Sequence, residues 1–222
     1  MPNPSNLAPT LQFLNELAQN NNKAWFDQHR PDYDEARAAF AGLIEDLIAE
    51  FRAVDGLGGL TAKDCVGRIY RDIRFSRDKS PYKTNLAALV GPGGWKGNST
   101  GYYIAIGPHN QSMVAGGLYE PAPEQLSRFR QQIDRDPSEY KAITEDPAFI
   151  AAFGAVEGQR LKTAPAGYDR AHPEIATLQL KQIAAIQHVS DQAVAAQDFA
   201  ARAIAVCWAM RPFLAYLNAL VQ

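Results

Sequence analysis

The chain has 222 residues and a mass of 24.4 kDa, with 46% hydrophobic, 21% charged and 10% aromatic residues. That composition is ordinary for a globular protein and excludes disorder, collagen and a small disulfide-stapled scaffold. A formal charge of −2 excludes a generally basic nucleic-acid coat.

In chain order, the first sixty residues read as helical. Leu11, Leu14, Leu17 and Ala18 share one face of a short helix, and Asn20-Asn21-Asn22 supplies a break and a cap for the next. Phe40, Leu43, Ile44, Leu47, Ile48 and Phe51 recur at steps of three and four, the signature of an amphipathic helix. Pro31 fits a first helical turn or a kink, and the loop Asp55-Gly56-Leu57-Gly58-Gly59 ends the stripe.

From Cys65 to Tyr119 the chain turns to short runs rich in Val, Ile, Tyr and Phe, broken by Gly, Pro and Asn. These predict strands near 66–76, 84–90, 101–107 and 111–118, with Gly107-Pro108-His109-Asn110 as a hairpin turn. Connections this short leave no room for crossover helices, so the sheet is expected to be largely antiparallel. The last hundred residues return to helix: Pro123–Asp136, Pro137–Asp146 and Pro147–Phe153, then a loop over Gly158–His172 and a helix opened by Pro173. From Asp198, Phe199, Val206, Met210, Leu214, Leu217 and Val221 form one stripe, with Pro212 as a kink point. The expectation is α+β: one domain over 1–222, helical at 1–60, sheet of about four or more strands at 61–120, helical at 121–222.

Cys65 and Cys207 stand 142 positions apart, without zinc-ligand spacing, and read as small core residues of a reducing compartment. MPNPSNLAPT has no basic stretch leading into an apolar run, and Ala203–Met210 falls far short of the ~20 residues of a membrane span. A cytoplasmic protein with no membrane association, metal or cofactor is expected.

The most unusual segment is RIYRDIRFSRDKSPYKTN, Arg68–Asn85. Between 68 and 83 lie six basic residues, Arg68, Arg71, Arg74, Arg77, Lys79 and Lys83, opposed only by Asp72 and Asp78. The rest of the chain carries 16 basic against 22 acidic residues, so a local positive patch sits on an acidic body. Clustered guanidinium groups offer planar, bidentate donors to phosphate or carboxylate. If 66–76 is extended, Arg68, Tyr70, Asp72 and Arg74 project from one face and Ile69, Arg71, Ile73 and Phe75 from the other. Arg71 then needs a partner among its apolar neighbours, and Glu120 is one candidate. Asp72, between two arginines, reads as their positioner, and the whole set also reads as a solvated face of structural pairs.

Three further tracts carry weaker signals. GPGGWKGNSTG, 91–101, lacks the Gly-Lys-Ser/Thr order of a Walker loop and reads as a hairpin loop, or as a lid bringing Trp95 and Lys96 over the basic patch. In LKTAPAGYDRAHP, Asp169 and His172 offer an acid–base pair, or else Asp169 caps a turn ahead of Pro173. In GYYIAI and GGLYEP, Tyr102, Ile104 and Ile106 share one face and Tyr103 the other, where it and Tyr70 would offer flat surfaces beside the arginines. Gly116-Gly117 marks a close backbone approach. No His or Cys arrangement points to a nucleophile or metal.

RIYRDIRFSRDKSPYKTN resembles the signature of a bacterial and fungal family catalogued as domain of unknown function 2461. NNNKAWFDQHRPDYDEAR, GYYIAI, GGLYEP and LKTAPAGYDRAHP are similar to its other blocks, in order, over nearly the whole chain. The resemblance implies a single α+β domain and brings no activity, substrate or cofactor with it. Gly67 departs from the larger residue the family usually carries ahead of the Arg.

The sequence therefore favours a site for a small anionic, phosphate-bearing molecule. Its ligand-binding candidates are Arg68, Tyr70, Arg71, Asp72, Arg74, Lys79, Tyr82, Lys83 and Tyr103, with His172 and Asp169 as catalytic candidates. Nucleic-acid binding through the same patch, and a protein-interaction or structural module built on Arg-Asp clamps, stand as alternatives.

Overall fold

The structure, a computed structural model, describes residues 6–97 and 99–221. Residues 1–5, read in the sequence for a leader, and Asn98 of the glycine-rich tract lie outside the described residues. Helix α1 (Ala8–Gln19) buries Leu11, Leu14 and Leu17 as their spacing predicts, together with Phe13. Asn22 starts α2 (Lys23–Gln28) by accepting a hydrogen bond from the Trp25 backbone N–H at 3.0 Å, the cap that an Asn before a helix supplies. Pro31 lies in the first turn of α3 (Arg30–Phe51), where its missing N–H costs nothing. The α3 stripe Phe40, Leu43, Ile44, Leu47, Ile48 and Phe51 is buried throughout. Truncating Phe40 to Ala there would cost about 3–5 kcal/mol. A short helix α4 (Ala62–Cys65) follows, closed by a Thr61/Asp64 capping box and tied to α3 by the Glu45 carboxylate, which accepts from the Ala62 N–H at 2.6 Å.

Four strands, β1 (Leu86–Val90), β2 (Tyr102–Ile106), β3 (Ser112–Leu118) and β4 (Ile183–Val189), form one antiparallel sheet in the order β1-β2-β3-β4. Leu86 pairs with Ile106 and Val90 with Tyr102, which puts Leu86, Ala88 and Val90 on the buried side. The predicted β2–β3 turn is present, with His109 and Asn110 at φ 62° and 58°. Asn tolerates that left-handed region well, and the Asp191 carboxylate fixes the turn by accepting both backbone N–H groups at 2.9 Å.

Two readings of the sequence are corrected. Residues 66–76 are not a strand; Val66 bridges Ala88 and Tyr70 bridges Tyr82, and the chain between leaves the ladder. Asp72 and Asp78 accept hydrogen bonds from the Arg74 and Ser80 N–H groups, local side-chain bonds that compete with strand pairing. The stretch after Pro173 makes only a one-turn helix, and β4 follows where helix was expected. IAAIQHV opens on four consecutive apolar residues, of which Ile183, Ala184 and Ala185 are buried, so it carries no two-residue alternation to announce a strand.

The remaining helices are α5 (Pro123–Arg135), α6 (Ser138–Thr144), α7 (Pro147–Phe153), α8 (Ile175–Leu178), α9 (Asp191–Val194) and α10 (Phe199–Val221). Two compact units divide the chain: one holds α1–α4, β1, β2 and α9, the other α5–α8, and β3, β4 and α10 each contribute to both. Within the second unit, Phe129 packs on Tyr140 and Phe149 on Phe213, each pair 5.5 Å apart. Arg130 there donates to the Leu178 and Leu180 carbonyls at 2.8 and 3.0 Å. The close approach expected at Gly116-Gly117 is to the protein itself: a Cβ on Gly117 would lie 2.1 Å from the Ile183 carbonyl oxygen. In α10, Phe199–Leu220 is long and apolar enough to cross a membrane by length and composition. Cys207, Met210, Phe213 and Leu217 of that stretch are buried in the fold. Cys65 and Cys207 are both buried and not joined in a disulfide, and burial pushes the Cys65 thiol up to about 11.

Candidate functional site

The basic segment folds as two short arms. Gly67 donates to the Ala87 carbonyl at 2.8 Å, Lys83 to Ile69 at 2.7 Å and Arg71 to Pro81 at 2.9 Å, so 67–71 runs beside 81–87. Between the arms, residues 72–80 form a loop whose two aspartates each take up an arginine. The Arg74 guanidinium forks onto Asp72, Nε to Oδ1 at 3.0 Å and Nη2 to Oδ2 at 2.7 Å. Arg71 pairs with Asp78 rather than with Glu120, and its Nη1 also donates to the Ser80 carbonyl at 3.3 Å. Lys79 Nζ donates to the Ile73 carbonyl at 2.9 Å. The Ser80 hydroxyl and N–H, then Arg71, hold the Asp78 carboxyl far below the usual carboxylate range, and Arg74 lowers the Asp72 pKa. The alternation expected along 68–75 holds in part: Arg68, Tyr70, Asp72 and Arg74 are exposed and Ile69 is buried. Phe75, expected on the apolar side, is 96% exposed because the loop has left the sheet before reaching it.

Arg68 and Lys83 behave differently. They line a common hollow of about 510 Å³ with Lys63, Asp64, Trp95 and Lys96. Among the described residues neither the Arg68 nor the Lys83 side chain has a hydrogen-bond or ion-pair partner. Lys83 is half-buried, and desolvation, followed by the neighbouring Arg68 charge, lowers its pKa from the ordinary 10.5. Asp64 is the one carboxylate on the wall, and Thr61 already occupies it through N–H at 3.1 Å and Oγ1 at 2.7 Å. Those two bonds, with smaller contributions from Lys63 and Lys96, hold Asp64 ionised.

The glycine-rich tract completes this wall. Gly94, at φ +56°, lies so close to α4 that a Cβ would sit 2.4 Å from the Asp64 carbonyl oxygen. Only glycine permits that seat, and it brings Trp95 and Lys96, on a 3-10 turn (Gly94–Lys96), beside Lys63 and Arg68. Three N–H groups at the turn are spent: Gly94, Lys96 and Gly97 donate to Gly91, Gly93 and Gly94 at 2.8, 3.1 and 3.1 Å. The tract therefore offers side chains to the hollow, not a cradle of amides. Lys63 gave no signal in the sequence, since it stands alone in α4 and joins the others only through the Gly94 contact.

The other candidates lie elsewhere. Tyr82 is buried, stacked on Phe26 at 4.0 Å and fixed through its backbone to the Asn21 side chain; Tyr70 rests 5.4 Å from Tyr82. Arg71, Asp78, Ser80 and Asn21 line a second hollow of about 430 Å³, which Lys83 also reaches. Tyr103, opposite Leu89, meets Trp95 edge-on at 6.3 Å and 87°. His172 and Asp169 belong to the second unit. The His172 ring accepts from the Glu174 N–H at Nδ1 and faces Asp134 at Nε2, while the Asp169 carboxylate caps the Ala171 N–H at 2.7 Å. Among the described residues no group of three or more His, Cys, Asp or Glu could hold a metal ion.

The fold is thus α+β, a four-stranded antiparallel sheet with helices before and after it. A family model described as conserved hypothetical protein, DUF2461, matches residues 9–216, and the chain belongs to that family. No curated protein and no solved structure matches it.

Proposed function

We propose that this protein binds a small phosphate-bearing anion in the hollow lined by Arg68, Lys83, Lys63 and Lys96. The observation that carries the reading is that Arg68 and Lys83 face one hollow without an acid partner among the described residues, whereas Arg71 and Arg74 of the same segment pair with Asp78 and Asp72 and Lys79 donates to the Ile73 carbonyl. Two neighbouring cations, one half-buried, repel each other and lose hydration, and a bound anion reverses both costs. Arg supplies a planar fork and Lys a point charge, a combination suited to the several oxygens of a phosphate. Arg74 and Lys79 are left out of the set, since their donors are committed to Asp72 and Ile73.

Thermal denaturation with increasing inorganic pyrophosphate tests the reading. A ligand that binds the folded state at 100 times its Kd stabilises by about 2.7 kcal/mol. A rise in Tm is expected for the wild type and not for the Arg68→Ala/Lys83→Ala double variant. An unresponsive wild type, or a double variant that responds equally, would overturn the proposal.

A further inference from the structure

We infer that the anion taken by this hollow carries a flat aromatic ring, and that its ligand class is the mononucleotide, with the base on Trp95 and the phosphates on Arg68 and Lys83. The inference rests on the anion reading above and adds to it the second kind of surface the hollow presents. Trp95 is 45% exposed on the same wall as the cations. An indole left open to water beside guanidinium and ammonium groups is a poor way to fill a surface and a good way to receive a ring, because every base has a π face.

The indole is also held. A Cβ on Gly67 would lie 3.4 Å from Trp95 Cζ2 and 3.5 Å from its Nε1, so one edge of the ring rests against the bare backbone of Gly67. Tyr103 supports it at a right angle. The departure noted at Gly67 thus has a geometric consequence: a Cβ there would already touch the indole edge, so a side chain reaching past Cβ toward Trp95 would press on the ring. A preset ring loses little freedom on stacking, which is what makes such contacts effective.

Size and charge select a single nucleotide over a strand. About 510 Å³ suits a small molecule. Beyond the hollow Arg71 and Arg74 are paired with Asp78 and Asp72, which leaves Arg77 and Lys79, and the rest of the chain carries 16 basic against 22 acidic residues, so the positive surface a second phosphate group could follow is short.

Calorimetric titration separates the possibilities, with inorganic tripolyphosphate as a probe that has the charge and lacks the ring. The wild type is expected to bind at least one of the four common nucleoside triphosphates about tenfold or more tightly than tripolyphosphate. Trp95→Ala should erase that margin and leave tripolyphosphate affinity unchanged. Trp95→Phe, which retains a ring and guards against misfolding, should keep most of it. If tripolyphosphate binds as tightly as every nucleotide while Arg68→Ala/Lys83→Ala loses both, the anion site stands and the ring inference falls. If neither probe binds, both fall. A ten-residue single-stranded oligonucleotide binding more than tenfold tighter than any mononucleotide would replace the mononucleotide with a strand.

Discussion

Residues 71–80 and the hollow beside Gly67 draw on the same run of cations, yet they settle their charge in opposite ways. In the loop, acids lie two and seven positions from the arginines they hold, so closing the loop pairs Arg74 with Asp72 and Arg71 with Asp78. In the hollow, Arg68 and Lys83 come from separate arms, and the chain brought against them, α4 and the Gly94–Lys96 turn, contributes two more lysines and an acid already bonded to Thr61. The comparison teaches that positive charge by itself says little about binding. What distinguishes a site from a clamp is whether the fold delivers an anion of its own.

The sharpest way to break the comparison is to delete charge from each half. Charge-assisted hydrogen bonds are worth about 1.5–3 kcal/mol each, so Arg68→Ala/Lys83→Ala is expected to weaken pyrophosphate binding on the order of 100-fold or more by calorimetry. Arg71→Ala/Arg74→Ala should change it by less than about threefold, the long-range charge effect alone. Equal losses in the two pairs would mean the loop and the hollow are one site.

Next in size is Gly94→Ala. Its methyl group would meet the Asp64 carbonyl oxygen at 2.4 Å, at a φ that L-residues rarely adopt, so the turn must lift from α4 and carry Lys96 and Trp95 with it. A loss of about tenfold in nucleotide affinity is expected, with a rise in acrylamide quenching of Trp95 measured in a background where Trp25 and Trp208 are Phe. Unchanged quenching would show that the turn does not depend on glycine at that point.

A smaller effect should appear in the pH profile. Burial and Arg68 lower the Lys83 pKa below the ordinary 10.5, so in the folded protein this amine loses its proton sooner than it does in the unfolded chain. Pyrophosphate affinity should therefore stay level near neutrality and fall by a few-fold as pH rises through the lowered value, and Lys83→Arg should remove that fall. Stability runs the other way. Between the lowered value and 10.5 the unfolded chain binds more protons, so the contribution of Lys83 to stability increases with pH across that window. A Lys83→Met variant melted across the same range should lose this slope.

Much of this architecture was legible because it rests on local rules. The leucine and phenylalanine spacings of α1 and α3, the Asn22 cap, and the prolines at the starts of α5 and α7 announce helices, and the short apolar runs bounded by Gly, Pro and Asn announce β1 to β3. β4 was hidden because its run of four consecutive apolar residues shows no alternation, and 66–76 misled because alternation survives in a segment whose aspartates capture the backbone instead. At the site, the excess charge at 68–83 and the idea of Trp95 and Lys96 over it could be read in the sequence. Which cations are free could not, since that depends on how the loop closes. Lys63 was invisible because a close approach at Gly94, not proximity in sequence, brings it in. Asp169 and His172 illustrate the reverse: neighbours in sequence whose side chains take other partners.

The least conspicuous effect concerns the loop itself. The Arg74–Asp72 pair is exposed and the Arg71–Asp78 pair is exposed at its carboxylate, and pairs open to water contribute little to global stability. Asp78→Ala and Arg71→Ala should therefore leave Tm within about 2 °C of the wild type. Local closure is another matter, since Arg71 reaches from its arm to Asp78, Ser80 and Ser76, and Lys79 and Ser80 tie the loop to itself through Ile73 and Asp78. Trypsin offers the readout, with Arg74, Arg77 and Lys79 as its targets. Cutting at these positions should rise several-fold in either variant, and the double variant should rise no further, because the two residues act through one bond. The lowered Asp78 pKa adds a sign: the clip is present above the unfolded carboxylate value of ~3.9 and is lost only as pH falls through the much lower folded value. An acid-active protease at pH 4 should therefore still find the wild-type loop closed. A loop already open at that pH would mean that the Ser80 and Arg71 contacts do not act together on Asp78.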